Sequence, residues 1–123
     1  MIIPLYQLAH ARSGDKGASA NVGVIARNAV AYDLLRDRLT AEAVQMFFAP
    51  LPVNRVDRYE LPNLLALNFV LVGVLAGGAS LSLRTDAQGK ALGQALLEMM
   101  IDVPDELLAC VGRSVHQPTG AAL

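Results

Sequence analysis

The sequence predicts an α/β domain of the α+β sandwich type, in which helices cover a mixed sheet of four strands. Three observations lead to this prediction. The chain has 123 residues, which is enough for one hydrophobic core and too few for two. Apolar segments of strand length alternate with longer helical patterns, and the connections between them are short. We therefore expect a single domain over residues 1–112, followed by a tail of low order over 113–123.

Two strands come first, over Ile2–Ala9 and Asn21–Arg27. The second is apolar on both faces, which predicts a central position in the sheet. About ten residues separate the two strands, fewer than the dozen or more that a parallel crossover needs. The sequence therefore predicts a hairpin with a long loop over Ala9–Asn21.

The segment Tyr32–Phe48 is helical in pattern, but its apolar positions change phase in the middle. The leucines before residue 40 and the apolar residues after it fall on opposite sides of an ideal helix. Thr40 is a good N-cap, and Glu42 follows in the first turn. The sequence therefore predicts two short helices that meet at Leu39–Thr40.

The segment Val53–Leu61 carries several charged residues and alternates poorly, which is typical of an edge strand. Pro62 then opens a helical pattern that Gly77 closes, so we expect a central, buried helix over this stretch. No charged residue lies between Leu61 and Leu83, but polar residues and glycines interrupt that stretch. The interruptions favour a buried helix followed by a strand over a membrane span.

In the last third of the domain, apolar and polar positions alternate over residues 80–84, and this pattern predicts a strand. Asp86 is expected to cap a helix that runs through Met99, with glycines on its apolar stripe. Because glycine costs about 1 kcal/mol relative to alanine inside a helix, we expect close backbone packing there. A short strand over Ile101–Val103 and a helical piece that starts at Pro104 complete the order.

The composition limits the classes of partner. Apolar residues make up 54% of the chain, and the surplus apolar surface of so small a domain predicts a homo-oligomer. The formal net charge of -1, from mixed acidic and basic residues, excludes an electrostatic footprint for nucleic acid. Cys110 is the single cysteine, which excludes an internal disulfide, fits the cytoplasm and predicts a small core residue. Two histidines and one cysteine give no usual ligand spacing, so we expect neither a metal nor a cofactor.

The segment Ala9–Asn21 concentrates ionisable groups in a chain of which only 17% is charged, against about 25% in typical soluble domains. Its glycines and cations could form a nest for a phosphate or a carboxylate, with Arg12 and Lys16 as the arms. The alternative is a structural hairpin loop in which glycines permit the turn and Asp15 pairs with a neighbouring cation. The candidate ligand-binding residues are Arg12, Ser13, Gly14, Asp15, Lys16, Gly17 and Asn21.

The same segment supplies candidates for catalysis. His10, Ser13 and Asp15 are the residue types of an acyl-transfer triad, although no nucleophile-elbow pattern surrounds the serine. His10 or Asp15 is alternatively a general base by itself.

Further candidates lie outside this segment. Asn68 is expected inside the buried helix, where its amide needs a partner and bonds either a neighbouring loop or a ligand. Charged residues at predicted strand ends either form surface ion pairs or, if the later strands run parallel, share one edge of the sheet. These secondary candidates are Arg58, Glu60, Asn63, Asn68, Arg84, Asp86 and Lys90.

Five segments together resemble the small domain of the AtuA family, which is named for acyclic terpene utilisation. They read LAHARSGDKG at 8–17, ANVGVIAR at 20–27, RYELPNL at 58–64, ALNFVL at 66–71 and SLRTDAQGK at 82–90. The resemblance covers residues 4–104 and implies a ferredoxin-like fold. It also implies a bacterial setting in the breakdown of branched or terpenoid acids as acyl-CoA compounds, with no established reaction.

Three hypotheses on function follow. The first is a small accessory or ligand-binding domain that recognises an acyl-CoA or a carboxylate-bearing intermediate, or that docks to a larger AtuA-type protein. The second is an enzyme of hydratase, lyase or thioesterase type that acts on such a compound. The third is a purely structural subunit of a larger complex.

Overall fold

The computed structural model describes residues 1–74 and 90–111, except for the side chains of Lys16, Lys90 and Ala91. The strand expected over 80–84 and the tail expected over 113–123 lie outside the described residues. The same holds for the helix start at Asp86 and the helix ends at Gly77 and Gly112.

The described residues form a four-stranded sheet, a two-stranded sheet and short helices, which confirms the predicted α+β class. The strands are β1 (Ile2–Pro4), β2 (Ala9–Lys16), β3 (Ser19–Ala26), β4 (Arg55–Leu61), β5 (Ala66–Val72) and β6 (Met100–Asp102). The α-helices are α1 (Ala29–Arg38), α2 (Ala41–Phe47), α3 (Lys90–Leu96) and α4 (Leu108–Val111). The four-stranded sheet has the order β2-β3-β5-β4, and β1 pairs with β6. All of these pairings are antiparallel where a mixed sheet was expected.

The predicted long loop over residues 9–21 is instead a strand with a tight turn. The first predicted strand breaks into β1 and a short 3₁₀ turn over Leu5–Gln7, after which β2 pairs with β3 along its whole length. The turn follows Lys16, and Gly17 supports it with a φ of 61°. The hairpin prediction is therefore confirmed, while the long loop is wrong because small and polar residues alternate along an edge strand.

The buried helix predicted to start at Pro62 is also wrong. A 3₁₀ turn over Pro62–Leu64 ends at Leu65, which adopts the left-handed conformation with a φ of 53°. The chain then reverses into β5, a central strand between β3 and β4. Such a strand is apolar on both faces, so its sequence lacks the period-two signal that separates a strand from a buried helix.

The pair of short helices is confirmed. The Asn28 side chain accepts a hydrogen bond from the Ala31 N–H at 2.8 Å and caps α1. The Thr40 hydroxyl accepts one from the Ala43 N–H at 3.0 Å and caps α2, as predicted. The edge position of β4 is likewise as predicted.

The core lies between one face of the four-stranded sheet and the helices. Along β3, every second residue from Ala20 to Ala26 is buried, and these residues share a cluster with Phe69 and with side chains of α1, α2 and α3. Helix α3 approaches β2 closely, because a Cβ on Gly93 would stand 3.1 Å from the Ser13 hydroxyl oxygen. The close packing that was predicted at a helical glycine is therefore observed at Gly93, which lies against Ser13. In the part of the chain that the structure describes, no helix is long and apolar enough to cross a membrane.

Candidate functional site

The face of the sheet that points away from the helices carries the candidate site. Strand alternation directs His10, Arg12 and Gly14 of β2 to this face, and Ala11, Ser13 and Asp15 to the helical side. The β3 residues that pair with His10, Arg12 and Gly14 lie on the same open face. They are Asn21, Gly23 and Ile25. The predicted ligand-binding segment is thus divided between two faces of one sheet.

A groove of about 290 Å³ lies on this open face. Gly14, Gly23 and Ala66 form its floor, since none of them has a side chain longer than a methyl group. Arg12, Asn21 and Asn68 form its polar side, and Ile25, Leu61 and Leu64 form its apolar side.

The register of the strands explains why the groove forms at this point. Gly23 pairs with Arg12 on one side and with Asn68 on the other, so the missing side chain leaves a gap between a guanidinium and an amide. A Cβ on Gly23 would lie 3.8 Å from the Arg12 carbonyl oxygen and 3.9 Å from Asn68 Oδ1. One row further along, Ile25 pairs with Ala66, and Ala66 pairs with Leu61. The polar and apolar sides of the groove are thus successive rows of the sheet.

Asn21 and Asn68 are joined across the sheet. Asn21 Nδ2 donates to Asn68 Oδ1 at 3.2 Å, and both side chains are partly buried. Asn68 therefore bonds a neighbouring strand and also faces the groove, on a strand and not inside a helix. Neither Asn68 Nδ2 nor Asn21 Oδ1 has a hydrogen bond to another described residue.

Arg12 is exposed, and it makes no hydrogen bond or ion pair with any described residue. The other described arginines all have partners. Arg27 bonds His10 and the Tyr6 carbonyl, Arg36 pairs with Asp33, Arg38 bonds the Asp102 carbonyl, Arg55 pairs with Asp57, and Arg58 pairs with Glu60. Among the described arginines, Arg12 is thus the one without a described partner, and it lies at the groove.

His10 lies beside the groove and contacts Arg27. The Arg27 guanidinium lies 3.2 Å from His10 Nε2 and donates to the Tyr6 carbonyl oxygen at 2.9 Å. Desolvation of the imidazole, and secondly the charge of Arg27, lower the pKa of His10 below its ordinary value of 6.5. The sequence reasoning missed Arg27, although it continues the alternation of Asn21, Gly23 and Ile25 beyond the end of β3.

The triad candidates do not assemble. Ser13 faces α3, where its hydroxyl accepts a hydrogen bond from the Gly93 N–H at 3.3 Å. Asp15 shares the helical side of β2 by alternation, whereas His10 is on the open face. A nucleophile, a base and an orienting carboxylate must contact one another, and these three residues are on opposite sides of the sheet.

Most of the remaining candidates lie elsewhere. Arg58 and Glu60 are on the helical side of β4, and Asn63 lies in the exposed turn after it. Arg58 donates to the carbonyl oxygens of Arg36 and Leu39 at 2.8 and 2.9 Å, so it binds the carboxyl end of α1. The edge that these residues were expected to share with Arg84 and Asp86 involves the predicted strand over 80–84, which lies outside the described residues. Lys16 and Gly17 form the end of the β2–β3 hairpin, Lys90 begins α3, and Arg84 and Asp86 lie outside the described residues.

The described residues bear on the predictions for metal-binding side chains and for Cys110. Residues 1–74 and 90–111 contain no group of three or more metal-binding side chains. Cys110 was expected in the core and is instead exposed. The short helix α4 buries Val111 and turns the neighbouring Cys110 outward.

The described residues thus form an α+β domain in which helices pack on one face of an antiparallel four-stranded sheet and the other face carries a groove. A comparison with family models gives a match to the AtuA ferredoxin-like domain over residues 3–102. The chain therefore belongs to the AtuA ferredoxin-like domain family. No curated protein and no solved structure matches the chain.

Proposed function

We propose that the chain is a small accessory domain that binds an anionic acyl ligand, either a carboxylate or an acyl-CoA, in the open-face groove. The observation that carries this proposal is the Arg12 side chain, which has no partner among the described residues and lines a groove with one polar and one apolar side. An arginine fork matches a carboxylate or a phosphate, and its hydrogen bonds to an anion are about twice as strong as neutral ones.

The neighbours of Arg12 support this role. Gly14 and Gly23 let a ligand approach the backbone of β2 and β3, and the polar Asn68 side chain lies across the gap from Arg12. Ile25, Leu61 and Leu64 offer an apolar surface to the rest of an acyl group. Sites of this kind combine an apolar lining with a few placed polar groups.

The proposal extends to the setting of the domain. An apolar fraction of 54% favours assembly into a homo-oligomer, and family membership favours contact with a larger AtuA-type protein. We place this assembly in the cytoplasm and in the breakdown of branched or terpenoid acyl-CoA compounds.

Titration calorimetry on the full chain tests the proposal. Short-chain carboxylates and their CoA thioesters are titrated into the wild type, the Arg12→Gln variant and the Arg55→Gln variant. Arg55 is a matched control, because it is on the same face of the sheet, outside the groove, and is paired with Asp57. We expect Arg12→Gln to weaken binding by about tenfold or more, corresponding to about 1.4 kcal/mol, and the control to leave it unchanged.

Two results would contradict the proposal. The first is the absence of binding heat for every ligand at millimolar concentration, which would favour a purely structural subunit. The second is equal affinity of the wild type and Arg12→Gln, which would show that the anion binds elsewhere.

A further inference from the structure

We infer that the ligand of the groove is a hydroxycarboxylic acid, which places its carboxylate at Arg12 and donates a hydrogen bond from its hydroxyl group to Asn21 Oδ1. This inference rests on the proposed function and adds the class of ligand. It depends on the direction of the amide pair on β3 and β5, on the glycine that borders one end of that pair, and on the position of Arg12 beside this glycine.

The side chains of Asn21 and Asn68 form a pair of amides with one direction across the sheet. Asn21 Nδ2 donates to Asn68 Oδ1 at 3.2 Å, so Asn21 is the donor of the pair. The oxygen at the other corner of the Asn21 amide accepts no hydrogen bond from a described residue. A partly buried carbonyl oxygen gains free energy when it accepts a hydrogen bond. This end of the pair therefore favours a ligand that carries a donor.

Gly14 provides the space for that donor. It pairs with Asn21 in the register of β2 and β3, and both residues line the groove. A Cβ on Gly14 would stand 3.4 Å from Asn21 Oδ1, so the space above this glycine borders the oxygen directly. Gly14 does not have a positive φ, so the backbone conformation does not require a glycine here. The absent side chain instead keeps the Asn21 oxygen open to the groove.

The oxygen of Asn68 borders a second space of this kind. It would lie 3.9 Å from a Cβ on Gly23, which pairs with Asn68 on one side and with Arg12 on the other. An amide oxygen has two acceptor positions, and the hydrogen bond from Asn21 uses one of them. Both glycine spaces are therefore bordered by acceptors. A donor on the ligand is attracted to them, whereas a second acceptor is repelled.

Arg12 offers the opposite chemistry beside these acceptors. It is in the same row as Gly23 and two residues from Gly14 on the same face of β2. Its guanidinium only donates hydrogen bonds, and its geometry matches a carboxylate. A ligand that satisfies Arg12 and the Asn21 oxygen together has an anion with an O–H group close to it. An α- or β-hydroxycarboxylate has this pattern, whereas an oxo acid would place an acceptor against an acceptor.

Calorimetry on the full chain compares four acids that share a carboxylate and a branched apolar tail. They are isocaproate and its α-hydroxy, β-hydroxy and α-oxo derivatives. We expect the better of the two hydroxy acids to bind about fivefold more tightly than isocaproate, which is the effect of one hydrogen bond between neutral groups. The oxo acid should bind no more tightly than isocaproate.

Two variants test where the hydroxyl group binds. The methyl group of Gly14→Ala would cover Asn21 Oδ1 at an ordinary contact distance of 3.4 Å, and Asn21→Leu removes the oxygen. Each should abolish the preference for the hydroxy acid and keep the affinity for isocaproate, which shows that the groove is intact. Asn63→Leu is the matched control, because Asn63 is an exposed amide outside the groove, and it should keep the full preference.

The outcomes separate this inference from the proposed function. Equal affinity for all four acids, each weakened by Arg12→Gln, would overturn the inference and support the proposed function. A preference for the oxo acid, or an unchanged hydroxy preference in Gly14→Ala, would also overturn the inference. Binding of CoA thioesters without binding of any free acid would do the same. Failure of the acids and the thioesters alike would overturn the proposed function itself.

Discussion

Three arginines in or directly after strands of the four-stranded sheet differ in what they contact, and the difference decides what each can do. Arg58 donates to carbonyl groups at the end of α1, and Arg27 is held between His10 and the Tyr6 carbonyl. Arg12 has no partner among the described residues, although it is the same kind of side chain on the same sheet. A ligand that binds its guanidinium would therefore break no contact with a described residue.

The pKa of His10 gives a prediction for the pH dependence of stability. Because desolvation and Arg27 lower this pKa in the folded state, the unfolded chain takes up a proton more readily below pH 6.5. We expect the free energy of unfolding of the wild type to fall between pH 7 and pH 5, and to fall less in His10→Gln. Urea unfolding at several pH values measures the difference, and His116 is present in both proteins.

An NMR titration of the imidazole gives an independent check. The midpoint of the His10 resonance should lie below the ordinary value of 6.5. A midpoint above that value would show that Arg27 and the surrounding burial do not act on the ring as described.

Tyr32 gives a prediction of increased stability. Its hydroxyl group is buried and has no hydrogen-bond partner among residues 1–74 and 90–111, and the side chain is only 3% exposed. An unpaired buried polar group costs about 1–3 kcal/mol, so Tyr32→Phe should raise the free energy of unfolding by about 1 kcal/mol. Tyr59→Phe is the control, since Tyr59 is 53% exposed and should show no measurable change. Lower stability of Tyr32→Phe would mean that the hydroxyl has a partner.

The helices and strands show which elements local sequence patterns predict correctly and which they do not. The helix pair was predicted because Thr40 provides a local N-cap signal that does not depend on the rest of the fold. Strand β2 was interpreted as a loop, because residues such as Gly14 and Asp15 have low strand propensity and become ordered only by pairing with β3. Strand β5 was interpreted as a helix, because it is apolar on both faces at the centre of the sheet.

The sequence predicted several residues of the candidate site, but not how they are arranged in space. Arg12, Gly14 and Asn21 were among the candidates because charged and small residues are concentrated there, and Asn68 because it is polar within an apolar segment. Their convergence depends on the register of β2, β3 and β5, which tertiary pairing sets. The apolar side of the groove was not predicted, since Leu61 and Leu64 give no local signal of a ligand.

The contact between β4 and the end of α1 gives a prediction with a closely matched control. Arg58→Met removes two charged hydrogen bonds to helix carbonyls and the ion pair with Glu60, and should cost about 2 kcal/mol in the free energy of unfolding. Arg55→Met removes an exposed ion pair on the same strand and should leave the urea midpoint nearly unchanged.

Ligand binding provides the second measurement on these variants. Neither Arg55 nor Arg58 lines the groove, so both proteins should keep the wild-type affinity for short-chain carboxylates. Equal unfolding midpoints for the two variants would contradict the role of Arg58 at the end of α1.

At the scale of the whole domain, the described helices lie on one face of the four-stranded sheet, and no described helix covers the other face. On the open side, Tyr59, Leu61 and Leu64 are apolar side chains that are between 41% and 65% exposed. A domain of this size with so much apolar surface is expected to associate with copies of itself. Light scattering at micromolar concentration should therefore give a mass of a dimer or larger. A mass of 13.0 kDa would mean that the chain is monomeric.

The pairing of β1 with β6 also has a consequence for the order of folding. It joins Ile2 to Asp102, and contacts between positions so distant in sequence form slowly compared with a hairpin such as β2–β3. We expect pulsed hydrogen exchange during refolding to protect β3 and β5 before β6. Every residue that lines the groove lies between β2 and β5. The groove can therefore be complete while the two ends of the domain are still apart, and a ligand present at that stage could bind the partly folded chain.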